Sequence, residues 1–213
     1  MVAYLTWLIA LIPARTVIAE SADLRVGGTI WKGDAVYASM LRIEWSWSPV
    51  SSLANLAYTA DWRISGDGTD LTGRVSKTGG SYRFSQVRGQ AEGSLLDLLA
   101  RPLPMQCRLV ADVALDEVVL GGDEQLARGR IRTSPASCVA RGMAARVLTL
   151  PAMRADITPG RRDSRGVLAT SGGREPVLVV QLPRAGPLTA WPTDHAIYLA
   201  PPLAGWRYER SFD

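Results

Sequence analysis

Met40–Pro49 reads MLRIEWSWSP, and this stretch decides the fold class. Leu41, Ile43, Trp45 and Trp47 alternate with Arg42, Glu44, Ser46 and Ser48, a period of two that gives a strand one apolar and one polar face. Pro49 brings no backbone N–H and ends the strand. Upstream lies GGTIWKGDA, Gly27–Ala35, which places Gly27, Gly28 and Gly33 around a Thr-Ile-Trp core. Its glycine spacing matches neither a dinucleotide loop nor a P-loop, so the glycines are read as relief where chain segments bend or cross. Trp31 is then an early packing anchor.

The alternation continues downstream. In LAYTADWRIS, Leu56, Tyr58, Ala60, Trp62 and Ile64 share one face. Gly66 and Gly68 mark a turn, and Leu71, Gly73 and Val75 point inward on the return strand. After Gly79 and Gly80, Tyr82 and Phe84 share a face. SLLDLLARPLP interrupts with one or two helical turns, capped at Ser94 and stopped at Pro102. A strand with Cys107, Leu109, Ala111, Val113 and Leu115 on one face follows, then the turn LGGDE and the return limb QLARGRIRTS. Three less regular strands and a proline-rich end without periodicity complete the chain.

The pattern predicts about ten strands joined by short turns. With no helices of crossover length between them, a parallel α/β sheet is excluded. The expected fold is mainly β: a single curled antiparallel sheet, half-barrel or sandwich-like.

The 213 residues carry a net charge of +4, almost all of it from arginine, with Lys32 and Lys77 the two lysines. Acidic and basic residues alternate without a basic block, which argues against nucleic acid as a partner. GRRDSRG, Gly160–Gly166, is read as an exposed loop, or else as a contact for lipid headgroups or nucleic acid. His195 is the single histidine, and Cys107 and Cys138 are the two cysteines, so a histidine-rich or four-cysteine zinc site cannot be built. A Ser-His-Asp triad would hang on His195 alone, and no nucleophile elbow is present.

Other candidates have plainer readings. Asp67 and Asp70 suggest a calcium loop, but the remaining oxygen ligands are missing and a hairpin turn suffices. Asp112 and Asp116 could form an acid–base pair, yet Arg108 is expected on the same face, as on a charge-balanced surface. Trp31, Trp45, Trp47 and Trp62 could stack on a sugar or base, but alternation assigns them to the core side. The expectation is no catalytic residues, no metal, no cofactor and no enzymatic activity. Cys107 and Cys138, 31 positions apart, are expected to form a disulfide closing a hairpin, two buried free thiols being the alternative.

Side chains from Val2 to Ala14 are uncharged, and Arg15 is the first ionised one. A secretory apolar core is about 7 to 15 residues and a spanning helix about 20, so residues 1–19 fit either an uncleaved anchor or an export signal. Ala19, Ser21 and Ala22 offer the cleavage site, and a buried helix in a cytosolic protein is the third option. The division is therefore residues 1–20 as an N-terminal hydrophobic helix, anchor or signal, and residues 21–213 as an exported β domain in an oxidising compartment.

Four stretches together carry a family resemblance. They are PAR at 13–15, VGGTIWKGDA, IEWSWSP, and DLTGRVSKTGGSYRFSQVRGQAEGSLLDLL at 70–99. Between residues 11 and 135 the chain resembles type II secretion system protein N, the N component of the general secretion pathway. Gly28-Thr29-x-Trp31-x-Gly33-x-Ala35 and Trp45-x-x-x-Pro49 match the elements of that family; Gly27 immediately precedes the first and Trp47 falls within the second. The chain departs from the family in its short, lysine- and arginine-free start and in its cysteine pair.

The resemblance implies an accessory, non-enzymatic subunit of the type II secretion apparatus, anchored in the bacterial inner membrane through residues 1–19 with its β domain in the periplasm. The partners it implies are other inner-membrane and periplasmic subunits of the system. The alternative is a periplasmic carrier of lipid or another apolar ligand, in which a curled sheet offers an open, AsmA-like groove. An outer-membrane barrel would need regular apolar belts across many strands, which the later strands lack.

Overall fold

The structure is a computed structural model and describes residues 11–18, 20–93, 95, 104–140, 147–173 and 175–212. Of the helix expected over residues 1–20, residues 1–10 and 19 lie outside these and the described remainder is not an α-helix; most of the helical turns expected at Ser94–Pro102 also lie outside. Among the described residues, Ala14–Thr16 forms one short 3-10 turn, and no helix is long and apolar enough to cross a membrane.

The alternating segments fold as the period of two dictates. The first six strands are β1 (Leu24–Gly28), β2 (Lys32–Tyr37), β3 (Leu41–Trp47), β4 (Tyr58–Gly66), β5 (Thr69–Thr78) and β6 (Ser81–Glu92). They form an unbroken antiparallel meander. β8 (Val110–Leu120), β9 (Leu126–Thr133), β12 (Met153–Pro159), β13 (Asp163–Thr170), β14 (Pro176–Pro183), β15 (Leu188–Pro192) and β16 (Tyr208–Arg210) continue it. The result is a 13-stranded sheet whose ends, β1 and β16, do not meet. It is not a closed barrel.

A single sheet was expected, and here the structure corrects the sequence reading. β7 (Met105–Arg108), β10 (Ala136–Ala140) and β11 (Val147–Leu150) leave the meander and form a second, three-stranded sheet. The apolar run from Cys107 to Leu115 looked like one strand, but the chain changes sheet at Leu109, between β7 and β8. The proline-rich end is also more regular than its sequence suggests. It supplies β15, the helix α2 (Asp194–Leu199) and β16. Thr193 caps α2, its Oγ1 accepting from Ala196 N at 3.4 Å. Gly160–Gly166 is half turn and half strand, since β13 starts at Asp163.

The second layer covers one half of the large sheet. Met105, Ala136, Cys138 and Leu150 of the small sheet and Ala196 of α2 pack with Leu109, Ala111, Met153 and Val177 in one buried cluster. Each large apolar side chain so buried contributes about 1.5–3 kcal/mol. Among the described residues no such layer lies over β3 to β6, and the apolar faces of those strands border a groove instead.

The β1 edge is partly occupied. Two isolated antiparallel bridges, Pro13–Thr29 and Ser21–Leu24, lie beside it, and Val26 N donates to Glu20 Oε1 at 3.1 Å. Unpaired edge groups invite association, so this covering limits strand addition at that edge.

Candidate functional site

Strand register builds the site. Gly33 pairs with Trp45, Trp45 with Trp62, and Trp62 with Gly73, so a Gly-Trp-Trp-Gly row crosses β2 to β5. A Cβ at Gly33 would stand 2.4 Å from Cζ2 of Trp45, and one at Gly73 would stand 2.7 Å from Cζ2 of Trp62. The glycines are therefore the space into which the indoles lie, which answers why residue 33 is glycine. Gly27 and Gly28 end β1, and Gly28 takes φ +77° where the chain turns toward Trp31.

Trp45 and Trp62 join Ile43, Tyr58, Ile64, Val75, Phe84, Val87, Leu115 and Val118 along an apolar groove of about 680 Å³. Ala14, Val17, Ile18 and Ile30 line it from the N-terminal side. A volume of this order suits a drug-sized apolar ligand or part of an acyl chain. Bulges preserve the apolar face: the register shifts at Gln86 in β6 and at Asp116 in β8, so apolar positions jump from Phe84 to Val87 and from Leu115 to Val118.

Polar groups cluster at one end of the groove. Among the residues lining it, Lys77 alone carries charge, and its Nζ sits 5.0 Å from the centre of the Tyr82 ring. Tyr58 donates its hydroxyl hydrogen to Ile30 O. Burial raises the Tyr58 pKa above its ordinary 10.0, because the charged phenolate is the poorly solvated form. Trp45 Nε1 donates to Thr29 O at 3.1 Å.

The opposite face of the same strands is charged and internally matched. Arg63 binds Asp70 through two nitrogens at 2.9 and 2.8 Å, and Arg74 Nε meets Asp61 at 2.7 Å. Arg42 contacts both Asp34 and Glu44. The bidentate Asp70 contact raises the Arg63 pKa, holding the guanidinium charged. Such exposed pairs are worth about 0–1 kcal/mol each. A shallow depression on this face is lined by these paired side chains together with Lys32, so most of its charges already have partners.

The remaining sequence candidates distribute as follows. Cys107 and Cys138 are cross-strand partners in β7 and β10 and form a disulfide, with Cys138 fully buried. Trp31 lies in the β1–β2 turn, edge-on to Trp47 at 4.6 Å between ring centres. Pro49 is the first residue of a helix, α1 (Pro49–Asn55), which follows the strand it ends. Leu56 does not share the inward face of β4; it caps α1 in a left-handed conformation and is exposed.

Asp67 and Gly68 both have positive φ and make a two-residue hairpin loop, the plain turn reading. Arg108 belongs to the small sheet, away from Asp112 and Asp116, which instead meet Gln90 and Arg88. His195 Nδ1 lies 2.8 Å from Glu175. Among the described residues no group of three or more His, Cys, Asp or Glu gathers as a metal site would.

Two groove elements escaped the sequence reading. The wall formed by Ala14, Val17 and Ile18 was assigned to a membrane or signal segment. Lys77 was noted for its rarity and not for its place. The helix α1 did carry a signal, since Ser48-Pro49 has the N-cap and N1 preferences of a helix start.

Fold and groove define the class: an open antiparallel β protein whose sheet is covered on one half and grooved on the other. The chain matches no family model, no curated protein and no solved structure.

Proposed function

We propose that this chain is an accessory, non-enzymatic subunit of the type II protein secretion apparatus, anchored in the bacterial inner membrane through residues 1–19 with its β domain in the periplasm. In this reading the membrane contact of residues 1–19 is made by the uncharged stretch ahead of Ile12, since Ile12 and Pro13 bond to the sheet and Ala14–Thr16 is a 3-10 turn, and the large sheet is curled into an AsmA-like half-barrel. The observation that supports it most is the Gly33–Trp45–Trp62–Gly73 row, because three of the stretches that resemble protein N supply Gly33, Trp45 and Gly73 to it. The disulfide agrees with an oxidising compartment.

The test is purification of the tagged full-length chain from membranes of its native cells in mild detergent. The expected result is co-purification of inner-membrane secretion subunits and loss of secretion on deleting the gene. A chain that brings down none of them, and whose deletion leaves secretion intact, overturns the reading.

One observation favours a second reading, a periplasmic carrier of lipid or another apolar ligand: the groove is apolar, open, and bordered at one end by a lysine. Native mass spectrometry of the same preparation separates the two. Stoichiometric lipid without secretion subunits supports the carrier, and subunits without lipid oppose it.

A further inference from the structure

We propose that the end of the large sheet bearing α1 rests on the lipid bilayer surface, with Val50, Leu53 and Leu56 set into the boundary between headgroups and acyl chains. The proposal rests on the reading of residues 1–19 as membrane-borne and adds to it a second contact made by the folded domain.

Three observations carry it. First, Val50, Leu53 and Leu56 are 79%, 75% and 90% exposed and recur every third residue, so α1 presents an apolar ridge to the outside. The ridge is held rigidly, because Ser52 on the same helix accepts from Trp47 Nε1 at 2.8 Å and from Thr59 N at 2.9 Å. A short helix that fixes its polar side to the sheet and turns three large aliphatic residues outward needs an apolar neighbour.

Second, the uncharged N-terminal stretch meets the fold at this end. Ile30 N donates to Ile12 O at 3.1 Å, and Pro13 bridges to Thr29, at the end of the strands where Trp47 finishes β3 and Tyr58 begins β4. Leu11, the first residue described before them, is half exposed. The uncharged sequence ahead of Ile12, partitioning into a bilayer, therefore brings this end of the sheet to the membrane surface.

Third, charge is polarised along the strands. Lys32 and Lys77, the two lysines of the chain, sit at the α1 end of β2 and β5, among Trp31, Trp47, Tyr58 and Tyr82. The far end of the same strands carries Asp23, Asp67 and Glu92. Lysine beside aromatic rings is the composition of an interfacial belt, and anionic headgroups complement it. The acidic turn at Asp123 and Glu124, beyond β8, lies at the same end of the sheet, since Leu120 pairs with Tyr82, and limits the basic surface to β2–β5.

The experiment uses the full chain in vesicles of phosphatidylethanolamine and phosphatidylglycerol. An environment-sensitive nitrobenzoxadiazole probe is attached through Leu53→Cys or, separately, through Met40→Cys. The native cysteines are paired with each other and do not compete for label. Met40 is also exposed but lies at the other end of β3, about 20 Å away. The expected result is a blue-shifted probe at position 53, quenched several-fold more by lipids carrying a nitroxide on the acyl chain than the probe at position 40.

If alkaline carbonate leaves the chain in the vesicles but both probes are equally quenched by aqueous iodide, the anchor stands and the seating is overturned. If carbonate releases the chain, the anchor reading falls and the seating with it.

Discussion

Trp62 and Gly73 oppose each other across β4 and β5, and the indole fills the volume that any side chain at position 73 would need. Trp45 and Gly33 repeat the relationship two strands away, and the two indoles are themselves register partners. Strand spacing is fixed by the hydrogen-bonded ladder, so what the two glycines set is how flat the indoles lie on the floor of the groove.

Substituting Gly73→Ala should therefore destabilise the fold by about 1–3 kcal/mol, the usual cost of overpacking. The atoms nearest the new methyl belong to side chains of Trp62 and Val87, not to backbone, so the strain is relieved by shrinking the indole. In a Trp62→Leu background the same substitution should cost under about 0.5 kcal/mol. Urea denaturation of the four proteins of this cycle gives the coupling, and additive costs would refute the packing account.

Reduction of the Cys107–Cys138 disulfide should be felt in the covered half of the sheet. The bond closes a separation of 31 residues, and Cys138 sits in the cluster where the small sheet meets the large one. Losing the cross-link costs about 3–4 kcal/mol in the chain-entropy model. For a chain of this size that lowers Tm by roughly 6–15 °C. Calorimetry with and without reductant measures it, and an unchanged Tm under full reduction would show that the small sheet holds without the bond.

Tyr58 gives the groove a pH dependence with a definite sign. Burial raises its folded-state pKa, so the native state holds the phenolic proton more tightly than the unfolded chain does. Its contribution is complete below the unfolded pKa near 10 and is lost as pH rises through the higher, folded-state pKa. Stability should fall in that alkaline window, and Tyr58→Phe should flatten the fall. At neutral pH the same substitution removes the hydrogen bond to Ile30 O and costs about 1 kcal/mol. Denaturant titrations of both proteins at neutral and alkaline pH separate the two effects.

The large sheet was legible because its signal is local. In β3 and β4 every second side chain is apolar, and the inward faces follow from that, while the antiparallel directions follow from the short turns between strands. The small sheet was not legible, because Cys107, Leu109 and Ala111 keep the same alternation straight through a change of sheet at Leu109. Periodicity reports which side of the chain is buried, not what buries it. The same limit hid the groove: Trp45 and Trp62 read as core residues, and whether a second layer covers them depends on where residues distant in sequence fold. Leu56 was misassigned for a different reason, since it is the left-handed cap that ends α1, two residues before β4 begins at Tyr58.

Ser52 offers the sharpest test of how α1 is held. Its hydroxyl oxygen accepts from the Trp47 indole and from the Thr59 amide, and it donates to Thr59 O at 3.4 Å. In Ser52→Ala both donors lose their protein acceptor, and because each is part-buried the cost should be about 2 kcal/mol, within the range for orphaned polar groups. Ser51→Ala is the control. Its hydroxyl pairs with that of Ser48 on the same short helix, and it ties nothing to the sheet, so its cost should stay under about 0.5 kcal/mol. Hydrogen exchange distinguishes a local from a global effect: Ser52→Ala should speed exchange at Thr59 and Ala57 while leaving the amides of β8 and β9 unchanged. Uniform acceleration across the sheet would mean that α1 is integral to global stability. Exchange confined to the helix and its junction would mean that one hydroxyl positions the Val50–Leu53–Leu56 ridge, and the same variant should then lose the lipid quenching of the probe at position 53 while staying in the vesicles.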